Sequence, residues 1–202
     1  MNEQRPPSKA FSLIEMLVVI AIIVVVVAIT IPVLGHVGRS GQRAARGANL
    51  RMIGVALAAY RTAHVEFPAA TLIPLPWVDE RPLSEPLEPF LDAPRPERLA
   101  SGEYVTGAPW RCPADPGLHR VIGTSYEYRL SLLAMVLAVD GEPHPWRAAS
   151  AMADAPANSP LVADASRSAI QATKVDDRQW HPPTQPGSRQ AVFADGRVES
   201  IR

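Results

Sequence analysis

The sequence predicts an α+β fold, a long N-terminal helix with a transmembrane first half, packed on a small antiparallel sheet. Three observations carry this. Met16 to Gly35 is a run of 20 uncharged residues, of which 14 are Leu, Ile or Val. Leu50, Ile53, Leu57 and Tyr60 then recur at three- and four-residue spacing, the stripe of an amphipathic helix. Near the end, Asp195-Gly196 stands between two extended runs, which signals a hairpin.

The chain has 202 residues, enough for one domain of ordinary size and an appendage. Its 20 basic and 20 acidic side chains cancel, so no overall field draws it onto nucleic acid. Arg39, Arg43, Arg46 and Arg51 form a local basic cluster after the apolar run, read as a solvated helix face near lipid headgroups. The single cysteine, Cys112, excludes an intramolecular disulfide and Cys-rich metal sites.

The apolar run is too long for a signal-peptide core and has no polar face beyond Thr30, so it reads as a span from about 13 to 34. Its 14 Leu, Ile and Val residues favour insertion by about 4–8 kcal/mol before Pro32 and the ends are discounted. At its front sits Glu15 among Phe11, Leu13, Ile14, Met16 and Leu17. A carboxylate in lipid calls for a partner or a role, unless it is a boundary residue reaching the headgroups.

Lys9-Ala10-Phe11-Ser12-Leu13-Ile14-Glu15, followed by the apolar run, resembles the cleavage and methylation motif of type IV pilin-like and type II secretion pseudopilin proteins. The resemblance implies a leader at 1–10 that prepilin peptidase removes after Ala10, which stands where the family usually has glycine. Phe11 then becomes the N-methylated first residue. The family's glutamate four positions on falls on Glu15, and its span proline falls on Pro32. In a filament, Glu15 would pair with the amine of a neighbouring Phe11 and select the docking register. Arg5 and Lys9 place the N-terminus in the cytoplasm, the later arginines pull the other way, and the family's orientation puts the head in the periplasm.

The helix is expected from 11 to about 61, roughly 75 Å long at 1.5 Å per residue. Pro32, Gly35, Gly38 and Gly41 predict either a kink or local melting, or small residues for close helix packing. The head, 62–202, opens with a segment at 68–116 that holds 11 of the 21 prolines, too many for long regular elements. Leu83, Leu87, Phe90 and Leu91 predict that it packs partly on the core. Thr124 to Leu130 and Pro160 to Ala163 read as strands, and Ser131 to Val139 as a helix turn or another strand. Asp195-Gly196 predicts a type I′ hairpin turn. Trp110-Arg111-Cys112-Pro113, Thr124-Ser125-Tyr126 and Phe193-Ala194-Asp195-Gly196 resemble a head-domain pattern of prepilin-type secretion proteins.

No nucleophile elbow, phosphate-binding loop or zinc-protease motif occurs, and His64, His119, His144 and His181 stand singly, so no enzyme is expected. Asp164, Asp176, Asp177 and Asp195 are candidate calcium ligands because some major pseudopilins bind calcium, though their spacing matches no calcium loop. The expected role is structural: a single-pass inner-membrane subunit that meets prepilin peptidase, other subunits and an assembly platform. The alternative is an envelope binding protein that uses the span as a passive tether.

Overall fold

The computed structural model describes residues 12–74, 81–129, 157–166, 170, 171, 173 and 189–201, with the side chains of 32–37 and 39 left aside. The chain divides into two compact units, Met1–Gly41 and Gln42–Arg202.

Helix α1 runs over Leu13–His64. Ser12 opens it, since the Ser12 carbonyl takes the first helical bond from Met16 N–H at 3.2 Å. The helix continues unbroken through Pro32, Gly35, Gly38 and Gly41, so the expected local melting does not occur. Proline removes only the bond to Ala28, and the flanking turns keep theirs. At its end Val65 takes φ +66°, a left-handed setting uncommon for a β-branched residue, and donates its N–H to the Arg61 carbonyl at 2.7 Å.

In the second unit, β3 (Tyr126–Tyr128), β4 (Pro160–Asp164), β5 (Arg189–Phe193) and β6 (Val198–Ile201) form an antiparallel sheet in that order. Leu50, Ile53, Ala56 and Leu57 of α1 are wholly buried in one core with Tyr126, Tyr128, Val162 and Val192 of the sheet. Each such aliphatic side chain contributes roughly 1.5–3 kcal/mol on burial. The α1 stripe read from periodicity is therefore the face that meets the sheet, with Tyr60 half-buried at its end. Gly54 sits in the same face so close to β5 that an added Cβ would lie 2.6 Å from Val192 Cγ2.

The proline-rich segment carries only short elements among the described residues: a 3-10 turn at Glu88–Phe90 and the pair β1 (Glu97–Arg98) and β2 (Tyr104–Val105). Leu83 and Leu87 are buried in the main core and Phe90 and Leu91 lean on it, as their apolar character predicted. A short helix α2, Leu118–Ile122, follows.

The β5–β6 loop departs from the expected type I′ turn. Gly196 N–H bonds the Phe193 carbonyl at 2.9 Å, and Phe193 N–H bonds the Arg197 carbonyl at 2.9 Å. Only Gly196, at φ +85°, is left-handed there, so Asp195 keeps an ordinary backbone and the glycine forms the bulge of a three-residue loop. The segment Ser131 to Val139 lies outside the described residues.

Candidate functional site

The N-terminal unit presents the first candidate surface. Leu13–Ile31 is a 19-residue helical stretch long and apolar enough to cross a membrane, and none of it is buried. Two polar groups on it are satisfied by the helix itself. Thr30 Oγ1 donates to the Val26 carbonyl at 2.7 Å, and Ser12 N–H donates to Glu15 Oε2 at 2.8 Å. Ser12-Leu13-Ile14-Glu15 is thus a capping-box sequence whose glutamate reaches back to an otherwise orphaned helix donor. The intermolecular role expected of Glu15 does not include this intramolecular one, although the Ser-x-x-Glu spacing signals it. Ala10 and Phe11 lie outside the described residues, and Pro32 is described only as part of the helix.

A second cluster joins α1 to the sheet of the head. Arg46, expected among solvated arginines, is instead buried, with Nη1 3.3 Å from Asp164 Oδ2. Asp164 Oδ2 also accepts Gln190 N–H at 2.7 Å, while the Arg189 guanidinium bonds the Asp164 carbonyl. Arg189 continues to Glu127 Oε1 at 2.9 Å, which also takes Arg129 Nε at 2.7 Å. Burial pushes the Asp164 carboxyl up to about 6, since the lost hydration outweighs the pull of Arg46, the Gln190 N–H and Arg189. Arg43 is held too, donating to Ser200 Oγ at 2.8 Å, and Arg51 stays exposed.

This pairing bears on calcium. Asp164 lies at one end of β4, committed to Arg46 and β5. Asp195 lies in the loop beyond β5, next to the Pro160 end of β4, where it accepts Arg197 N–H at 3.1 Å. The antiparallel register therefore keeps these two carboxylates at opposite ends of the strand pair, not in one site. Asp176 and Asp177 lie outside the described residues. Among the described residues no three His, Cys, Asp or Glu side chains converge as metal ligands.

A third cluster ties the motifs Trp110-Arg111-Cys112-Pro113 and Thr124-Ser125-Tyr126 together. Ser125 N–H bonds the Trp110 carbonyl at 2.9 Å, and Cys112 N–H bonds Ser125 Oγ at 2.9 Å. Asn49 of α1 donates to the Arg111 carbonyl at 2.8 Å and to Tyr126 Oη at 3.3 Å. Buried Asp115 accepts the N–H groups of Gly117, Leu118 and His119 at 2.7–2.8 Å, and so seeds α2. Ser125 Oγ, at 2.5 Å, and His119 Nδ1, at 3.0 Å, both meet Asp115 Oδ2. Serine and histidine thus converge on the carboxylate and not on each other, which is a structural knot and not a nucleophile activated by a base. Cys112 is buried beside it, and loss of hydration pushes its thiol up to about 12.

Residues 5–31 match the family described as the prokaryotic N-terminal methylation motif. The pilin-like resemblance rests on this segment, and the α+β arrangement of one long helix and a small antiparallel sheet accords with it. Comparison with curated proteins and with solved structures found no match to the chain.

Proposed function

We propose that the chain is a structural subunit of a type II secretion pseudopilus or a type IV pilus-like filament. It is inserted in the inner membrane through Leu13–Ile31 with its head in the periplasm, cleaved after Ala10 by prepilin peptidase and N-methylated at Phe11. An assembly platform then stacks it with other subunits through the N-terminal helix. It is a substrate of the peptidase and not itself an enzyme. The observation that carries this reading is the coincidence of the methylation motif at 5–31 with an apolar helix at 13–31 that no described residue buries.

In such a filament Glu15 would pair with the amine of a neighbouring Phe11. An amine and a carboxylate sharing a waterless core each relieve a charge that would be costly alone. The test is mass spectrometry of the N-terminal peptide from membranes of a strain that has the peptidase. A mature chain beginning at methylated Phe11 is expected, and an intact Met1 would instead support the tether reading.

A further inference from the structure

Helix α1 is apolar on two sides within the head unit. Leu50, Ile53 and Leu57 meet the sheet, while Ala45, Ala48, Met52 and Val55 recur at three- and four-residue spacing on the opposite face. All four of the latter are exposed, Met52 at 42% and Val55 at 70%. One stripe suffices to seat an amphipathic helix on a sheet, so the second is a surface without an intramolecular use among the described residues. Exposed Arg51 borders it. From 16 to 65 the sequence has five arginines and no acid, whereas from 66 onward it has 18 acids against 13 bases.

A second exposed patch has the opposite charge. Glu97 pairs with Val105 across β1 and β2, and Leu99 N–H bonds the Glu103 carbonyl at 2.8 Å. This register puts Glu97, Leu99, Glu103 and Val105 on one face, because alternate strand residues share a side. That face is open, with Leu99 exposed at 43% and Val105 at 57%, while on the other side Arg98 is exposed as well and Tyr104 is half-buried.

We propose that these two surfaces bind each other between copies: the β1–β2 face of one subunit lies on the outer stripe of α1 of the next. Two aliphatic side chains bracketed by carboxylates meet an apolar stripe bordered by Arg51. Two outer helix stripes meeting each other would instead bring together basic surfaces that hold no acid. Since the two patches are different parts of one chain, the contact is heterologous, and each added subunit exposes a fresh patch for another. The proposal rests on the filament reading for its setting of like-oriented copies and adds the head surfaces that touch.

The experiment uses the full chain in its own membranes, with Met52→Cys and Leu99→Cys made singly and together. Cys112 is buried and gives no background. Mild oxidation of the double variant is expected to give a ladder of disulfide-linked multimers. A mixture of the two single variants is expected to give only dimers, and each alone should stay monomeric. Glu97→Arg with Glu103→Arg should cut the ladder about tenfold, and adding Arg51→Glu should restore it. Homodimers of Met52→Cys alone would overturn the proposal in favour of helix on helix. A ladder indifferent to charge reversal would overturn it as well, and so would loss of membrane association in Arg51→Glu without a ladder in the double variant. Filaments are scored separately by electron microscopy. Filaments without a ladder overturn this contact and leave the filament reading standing, while a ladder without filaments does the reverse.

Discussion

Asp164 holds its charge where folding has removed its water, and the consequence is a pH profile. Its folded pKa of about 6 lies above the ordinary 3.8, so between these values the folded chain binds more protons than the unfolded one. Stability from this group is therefore greatest in acid and falls as pH rises from about 4 to 6. Above that the loss is constant at about 3 kcal/mol. Thermal melts of the full chain in detergent, for wild type and Asp164→Asn, are expected to differ in slope across this window. Wild type should gain stability towards pH 5 relative to the variant, and parallel profiles would contradict the assignment. Sequence could not reveal the pair, because Arg46 and Asp164 stand 118 residues apart and neither has a local signature. Glu15 was legible as out of place because Leu13, Ile14, Met16 and Leu17 beside it are all apolar.

Among the elements, α1 was legible nearly to its ends, since period and apolar content are local properties. What periodicity does not disclose is how closely the helix approaches β5. Gly54→Ala should gain about 1 kcal/mol of helix propensity. The new Cβ would press on Val192 Cγ2, which is part of a stiff β-branched side chain, and overpacking costs about 1–3 kcal/mol. Net destabilisation is expected in chemical denaturation of the full chain, with Val192→Ala in the same chain recovering part of it. A Gly54→Ala chain more stable than wild type would show that the helix can back away. The β5–β6 hairpin was legible but its loop was not, because Asp-Gly suits a two-residue turn as well as the three-residue loop with its bulge at Gly196. Helix α2 gave no signal. It is five residues long and owes its start to Asp115, whose carboxylate is fixed in turn by Ser125.

At the scale of the molecule, the main core draws on no described residue before Leu50, and the polar joint begins at Arg43. A fragment starting at Gln42 is therefore expected to fold cooperatively without the span, measured as a single thermal transition by circular dichroism. A melt without a transition would mean that the head borrows stability from Met1–Gly41. Cys112 has a further consequence for the whole chain. With its thiol at about 12, the thiolate is on the order of one molecule in 100,000 at neutral pH, and it is walled off by the core. In the proposed filament, whose heads would stand in an oxidising compartment, neighbouring copies would then not be welded to one another by chance sulfur chemistry. The contacts proposed between copies would be left free of sulfur cross-links, so that a subunit taken out of one filament could be used again in the next.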